Sequence, residues 1–375
     1  MPAMIPTGDH HRRWHNAAPN PLLRRGLCQF ETVAPMAPIP RGEAPALAFR
    51  RCPRTLENIR FTDHRSTEAT VEAWLAASET DGYLLLRGDD LLVERYAHGF
   101  GAEGRHATLS ISKSVTGALA ELLFQQGVLR PATPVTALLP ELAASAYRDV
   151  TVAQLWHMTS GVAFDAETTR PASDVLRLAA AIGWRPVPTP DTPRTLRGFL
   201  RTLQRRAAPP GQRFAYNDAD TEVLAWALER AAGCSFPALL GREIWQRIGA
   251  ERDARIAVDA EGVAVASAGL SVALRDLGRF ARWWLASVGK IPEDAAAPPP
   301  AMPSAVPSVR GFQRQTWRFS QGLGMLGNNG QSVVILPDSG LIAVKFSAIP
   351  NDRPGIIARE HERAYRAARA MAGLS

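Results

Sequence analysis

The feature that most constrains this chain is where its β-type runs fall. Tyr83-Leu84-Leu85-Leu86-Arg87, a Gly88-Asp89-Asp90 turn and Leu91-Leu92-Val93-Glu94-Arg95-Tyr96 form a hairpin pattern early in the sequence. Comparable runs return only near the end, at 332–336 and 341–346. Between them the periodicity is helical over 110–126, 152–157, 195–205, 221–232 and 274–287, with Gly127, Gly233 and Gly289 as stops. Strands at both ends with helices between predict a discontinuous α+β architecture. One antiparallel sheet is built from both chain ends and flanked by helices, and a helical subdomain is inserted into it. Residues 1–80, rich in Pro and Arg with one short helix over 67–78, read as an extension packed on the main body. Residues 81–105 plus 311–375 form the sheet subdomain, with a terminal helix opened by Pro354 and running to Met371. Residues 106–290 form the helical subdomain, and 291–310 a Pro/Ala-rich linker. No internal repeat is present.

Composition narrows the class. At 375 residues, 46% hydrophobic and 21% charged, the chain has enough apolar material for a sizeable core. No apolar run is long enough to span a membrane, and the first thirty residues lack the apolar stretch of a signal peptide, so a cytoplasmic protein is expected. Cys28, Cys52 and Cys234 are odd in number and far apart, which argues against a disulfide framework or zinc knuckle and for reduced thiols. The net charge of +7 is spread in pairs without an aromatic-interleaved basic stripe, so nucleic acid is not an expected partner. No His, Cys and carboxylate set has metal spacing and no phosphate-binding glycine loop opens a helix, so no metal and no cofactor are expected.

Of the 43 basic side chains only Lys113, Lys290 and Lys345 are lysine. Arg keeps its proton in a protein whereas a buried Lys can lose it, so each lysine in so poor a background calls for attention. Ser110-Ile111-Ser112-Lys113 opens a helix, and residues three apart on a helix have Cβ atoms about 5 to 6 Å apart on one face. The Ser110 hydroxyl and the Lys113 amine can therefore meet. An amine activates a serine only when neutral, which requires desolvation or a neighbouring cation. Ser287-Val288-Gly289-Lys290 has the same spacing but straddles a helix stop, and is assigned to chance. Tyr216, in a loop just before a helix, is a candidate proton shuttle, with an ordinary half-buried aromatic as the bland alternative. Gly324-Met325-Leu326-Gly327-Asn328-Asn329-Gly330 is a glycine-rich strand edge that lets a substrate approach the backbone, or else a plain hairpin turn.

These pieces, in this order, resemble the serine β-lactamase and penicillin-binding-protein superfamily, and within it the class C β-lactamase-related branch that contains the 6-aminohexanoate-oligomer hydrolases and related esterases. The resemblance runs from about Gly82 to Pro350 through five co-linear segments, 109–116, 150–162, 209–224, 268–280 and 327–337. It implies that Ser110 is the acylated nucleophile, Lys113 its base partner and Tyr216 the tyrosine of the second box. The oxyanion hole would use the backbone N–H groups of Ser110 and Asn328, with Gly327 as the third-box glycine. Asp218 stands where the second box usually has Asn. Both registers of the third box, Met325-Leu326-Gly327 and Asn328-Asn329-Gly330, lack the Lys or His that penicillin-recognising members place near a substrate carboxylate. His157, Asp165, Asp174 and Asp218 are candidates for the substrate pocket, with core or capping roles as alternatives.

The expected function is a serine hydrolase of small amide or ester substrates, acting through an acyl-enzyme. A β-lactamase or D,D-peptidase is the alternative within enzymes. A non-catalytic acyl-binding or sensor protein is the alternative of another class, and a homodimer is left open.

Overall fold

The structure is a computed structural model and describes residues 21–63, 67–168, 170, 172–187, 191–288, 306–353 and 355–374. The strands in chain order are β1 (Met36–Ile39), β2 (Arg50–Arg51), β3 (Arg60–Thr62), β4 (Glu68–Thr70), β5 (Thr80–Arg87), β6 (Asp90–Tyr96), β7 (His106–Ala107), β8 (Ala254–Ala257), β9 (Leu270–Val272), β10 (Val309–Gln313), β11 (Thr316–Phe319), β12 (Leu323–Gly327), β13 (Gln331–Leu336) and β14 (Leu341–Ser347). The helices are α1 (Pro21–Cys28), α2 (Val71–Ala77), α3 (Ile111–Gln125), α4 (Val135–Leu138), α5 (Val152–Trp156), α6 (Asp174–Ala181), α7 (Leu196–Arg201), α8 (Asp218–Ala232), α9 (Phe236–Leu240), α10 (Leu274–Ser287) and α11 (Ile356–Ala372).

The two chain ends share one sheet, in the order β10-β11-β12-β13-β14-β5-β6-β2. The seam between the ends is the antiparallel pair β14 and β5, where Val344 faces Leu84 and Ile342 faces Leu86. Alternate residues of these strands enter two different cores. Leu84, Leu86, Val333, Ile335, Ile342 and Val344 pack with α10 and the helical body, whereas Tyr83, Leu85, Val334, Leu336 and Ala343 pack with Trp74 of α2 and Tyr365 of α11. Burial on both faces is why these strands read as unbroken apolar runs rather than alternating ones. The terminal helix runs from Ile356 to Ala372, one residue past the expected Met371, and Pro354, expected to open it, lies outside the described residues.

Three expectations need correction. The body between 106 and 290 is not purely helical, because β7, β8 and β9 join β1 in a second, four-stranded sheet ordered β1-β8-β9-β7. These strands are only two to four residues long, too short for period-two patterning to show. The N-terminal segment is more than a wrapping. It supplies β1 to that small sheet and β2, parallel to β6, to the large one, which makes the large sheet mixed. Of the 291–310 linker, 291–305 lie outside the described residues, while Val306 and Val309 are buried and Val309 opens β10.

Helix ends follow their caps. Thr195 caps α7 through the Gly198 N–H, and the helix stops at Arg201, short of the expected 205. Asn217 accepts from the Asp220 N–H at 2.7 Å, so α8 starts at Asp218 instead of Thr221.

The sheet is locked to the helical body by the β10–β11 hairpin tip. Arg314 and Gln315 both have positive φ (53° and 61°), the backbone of a tight two-residue hairpin that glycine and asparagine usually occupy. Tertiary bonds hold it there. Buried Gln315 donates from Nε2 to the Leu155 carbonyl (2.9 Å), accepts from Thr221 Oγ1 at its side chain (2.8 Å) and from Ser114 Oγ at its carbonyl (2.7 Å). One residue, through its side chain and its carbonyl, thus joins α3, α5 and α8. Against this tip α3 presents Gly117, where an added Cβ would lie 2.4 Å from the Arg314 carbonyl oxygen. Gly to Ala inside a helix ordinarily gains up to about 1 kcal/mol. Here we expect Gly117→Ala to lose about 1 to 3 kcal/mol of stability through the backbone clash, read as a lower urea midpoint. A midpoint at or above that of the wild type would show that the tip yields freely.

Candidate active site

Ser110 sits at the turn from β7 into α3. Leu109, just before it, has φ +48°, a left-handed conformation that a branched side chain seldom adopts, and buried packing holds it there. Ser110 follows in helical conformation, so its Oγ projects from the first turn of α3. One helical turn on, Lys113 Nζ lies 3.0 Å from Ser110 Oγ, the juxtaposition expected from the spacing. Lys113 is only 1% exposed, and its ammonium also donates to the Ser267 carbonyl (3.0 Å) and pairs with Asp218 Oδ1 (2.6 Å).

That environment corrects one expectation. Burial drives the ammonium towards its neutral form, but the Asp218 carboxylate and Tyr216 beside it outweigh this and raise the Lys113 pKa. In the resting protein Lys113 holds its proton, because its neighbour is a carboxylate and not a cation. Asp218 is therefore the partner of Lys113, 25% exposed at the start of α8, and does not border the cavity beside Ser110.

Tyr216 lies in the same constellation, its ring centroid 5.1 Å from Lys113 Nζ. Trp317 stacks on the other ring contact of Tyr216 at 5.3 Å and 21°, and Phe312 meets it edge-on at 5.6 Å. The hairpin that pins the sheet to the helices thereby also orients Tyr216.

The site opens into a cavity of about 220 Å³ bordered by Ser110, Tyr216, Val306, Val309, Trp317 and Leu326 on one part of its wall. Gly327, Asn328, Ile357 and His361 complete it. At Gly327 an added Cβ would lie 2.5 Å from the Thr108 carbonyl oxygen, so β12 approaches the strand leading to Ser110 as only glycine allows. Gly330 instead faces Ser347 and Ile349. Geometry thus puts the Met325-Leu326-Gly327 register beside Ser110.

His361, on α11, had no motif to reveal it. Buried among apolar groups and near Lys345, its pKa falls to about 4, so the imidazole is neutral near pH 7. It contacts the Gly327 carbonyl at 2.9 Å through Nε2, which must donate. Carbonyl and N–H of a trans peptide point in opposite directions. By fixing the Gly327 carbonyl, His361 fixes the direction of the Asn328 N–H in the same peptide unit.

The remaining candidates lie elsewhere. His157 is half-buried against Trp156 (5.1 Å), with its pKa lowered to about 4 by burial and by Arg314. Asp165 pairs with Arg170 (2.8 Å), and Asp174 pairs with Arg177 (3.0 Å) and accepts from the Asp165 N–H (2.9 Å). None of the three borders the cavity beside Ser110. The Lys290 of the second serine-lysine spacing lies outside the described residues.

Behind the site, Glu222 accepts from the N–H groups of Ala266 and Ser267 (both 2.9 Å), which fixes the carbonyl that receives Lys113. Two helix positions earlier Asp220 accepts from Ser160 Oγ (2.7 Å) and Tyr147 OH (3.1 Å). Burial raises both carboxyls to about 7, against these hydrogen bonds. Between their ordinary values and pH 7 the folded state holds protons that the unfolded chain has released, so stability must fall as pH rises through that window. We expect the urea midpoint to decline from pH 4.5 to 7.5 and the decline to shrink in Glu222→Gln. An unchanged slope would mean that Glu222 is already ionised throughout. For His361, we expect Phe to lower kcat with KM and fold retained, and Gln, which can still donate, to recover part of it. Equal activity in both variants would remove the positioning role.

Comparison with known proteins identifies the family. Residues 80–367 match the family model described as Beta-lactamase. The 6-aminohexanoate-dimer hydrolase of Paenarthrobacter ureafaciens is 33% identical over 361 residues, 91% of this chain and 86% of that one. A candidate 6-aminohexanoate-dimer hydrolase from Bacillus anthracis superposes with a TM-score of 0.84 over 98% of this chain and 99% of its own, at 22% identity. A penicillin-binding protein from Bacillus halodurans shares the fold at a TM-score of 0.59, with 19% identity over 78% of this chain and 98% of its own. The chain therefore belongs to the β-lactamase family and is a serine hydrolase of that family.

Proposed function

We propose that Ser110 is the nucleophile of an acyl-enzyme pathway acting on amide or ester bonds that carry no adjacent carboxylate, with linear ω-amino-acid amides of the 6-aminohexanoate type as the substrate class. The observation that carries this reading is the 3.0 Å contact of Lys113 with Ser110 Oγ at the mouth of a cavity whose described lining holds no charged side chain. The curated relative, named for a 6-aminohexanoate dimer, supports the substrate class. In such a dimer both charged ends are separated from the scissile amide by a run of methylenes, which suits an apolar wall of Val306, Val309, Leu326 and Ile357.

Because the Lys113 ammonium donates to Oγ, the serine proton leaves in another direction. Tyr216, on the same wall, is the acceptor in this reading. As Oγ bonds to the carbonyl carbon, the Tyr216 hydroxyl relays the proton, accepting the one from serine while passing its own to the leaving nitrogen or oxygen as that bond breaks. Water repeats the sequence on the ester and returns Ser110. Negative charge on the carbonyl oxygen is received by the Ser110 and Asn328 N–H groups, with Lys113 adding a buried positive charge alongside.

The experiment is a side-by-side kcat/KM for p-nitrophenyl butyrate, the 6-aminohexanoate dimer and a chromogenic cephalosporin. A charge-assisted hydrogen bond to a substrate carboxylate contributes about 1.5 to 3 kcal/mol, roughly 10- to 150-fold. Lacking it, the protein should favour the first two by at least about tenfold, and Ser110→Ala should abolish all turnover. Preference for the cephalosporin would sink the substrate class, and activity retained in Ser110→Ala would sink the nucleophile.

A further inference from the structure

Away from Ser110, three residues far apart in the sequence meet beneath the N-terminal segment. Cys28 ends α1, Asp81 lies in β5 and His106 in β7. One ligand atom from each lies within 4.8 Å of the other two. Asp81 and His106 are fully buried, and Cys28 is half-buried on the wall of a cavity of about 770 Å³ shared with Arg24, Gln29 and Phe100.

The atoms not turned inward are already held. Asp81 Oδ1 accepts from Arg24 Nε at 2.6 Å, which leaves Oδ2 facing His106 Nε2 at 3.3 Å. The other ring nitrogen, Nδ1, lies 3.0 Å from the Ala107 carbonyl, a contact in which the ring must donate. Phe346 stacks on the imidazole at 4.7 Å and 8°, and Phe100 meets it edge-on, so the ring cannot turn away. This is the arrangement that orients metal ligands: an imidazole anchored through its far nitrogen to a carbonyl, and a carboxylate anchored through its far oxygen. Two atoms about 2.0 to 2.1 Å from one zinc ion at the tetrahedral angle stand about 3.4 Å apart, close to the Asp81–His106 separation.

We propose that Cys28, Asp81 and His106 form a zinc-binding site, with the fourth coordination position open to the adjoining cavity. A thiolate, an imidazole and a carboxylate suit zinc far better than magnesium or calcium. On binding, the imidazole Nε2 proton and the thiol proton pass to solvent, and the ion bonds to Nε2, Sγ and Oδ2. The positive charge of Arg24 is offset by Glu79, which it contacts at 2.6 Å, so a cation beside Asp81 faces a neutralised guanidinium. The site would staple α1 to the strand that leads into Ser110, and it is independent of the proposed hydrolytic chemistry.

The test is cobalt titration of the full chain after chelator treatment. A tetrahedral thiolate site gives visible d–d bands and a near-ultraviolet thiolate-to-cobalt charge-transfer band, reaching saturation at one equivalent and lost when zinc is added. His10, His11 and His15 can also take up cobalt but supply no thiolate band. We expect the band in the wild type and in Cys52→Ser/Cys234→Ser, where Cys28 is the only thiol, and its loss in Cys28→Ser. No thiolate band in the wild type, or a band that survives in Cys28→Ser, overturns the site. Should Cys28→Ser fail to fold, the double variant decides, and absence of the band there overturns the site equally.

Discussion

Everything around the site depends on one buried charge. An ammonium taken out of water costs several kcal/mol unless it is paired and its hydrogens are received. Lys113 meets both conditions through Asp218, the Ser267 carbonyl and Ser110 Oγ. Each partner is in turn fixed by something larger. Asn217 caps the start of α8 and so directs Asp218, Glu222 of the same helix anchors the 266–267 backbone, and the β7–α3 turn sets Ser110. The serine is thus presented by a network that must be complete before the lysine can be buried at all. Removing Asp218 would leave an uncompensated buried cation.

The discontinuous sheet brings the rest of the wall to this centre. Strands from the end of the chain carry Trp317, Leu326 and Gly327, the turn after β12 carries Asn328, and the terminal helix adds Ile357 and His361. The β10–β11 tip is the coupling piece. Its carbonyl and amide bonds to three helices fix the hairpin that stacks Trp317 on Tyr216. Sheet and helices therefore cannot shift against each other without disturbing the aromatic contact beside the nucleophile.

The sheet seam, the helix bearing Ser110 and Lys113, and the glycine at 327 were legible in the sequence, because each rests on a local pattern: apolar runs, i to i+3 spacing, and a residue that tolerates close backbone approach. What was not legible is non-local. His361 acts from a terminal helix on a carbonyl of a strand far from it in sequence. Arg314-Gln315 makes a tight turn without glycine or asparagine because tertiary bonds impose it. The small sheet is made of strands too short to pattern, and one of them comes from the N-terminal segment. The carboxylate partner of Lys113 was not legible for the same reason, since it is defined by the packing of α8 on α3. Asp165 and Asp174 looked available to the substrate pocket, and only the fold shows Arg170 and Arg177 holding them.

The central claim is that Ser110 is the activated nucleophile of this network. Reaction with an active-site fluorophosphonate, followed by intact-mass measurement and peptide mapping, tests it most directly. The account predicts a single adduct on Ser110 that is absent from Ser110→Ala and formed far more slowly when Lys113 is replaced by Met. A folded wild-type protein that takes no adduct, or takes it on a different serine, would contradict it.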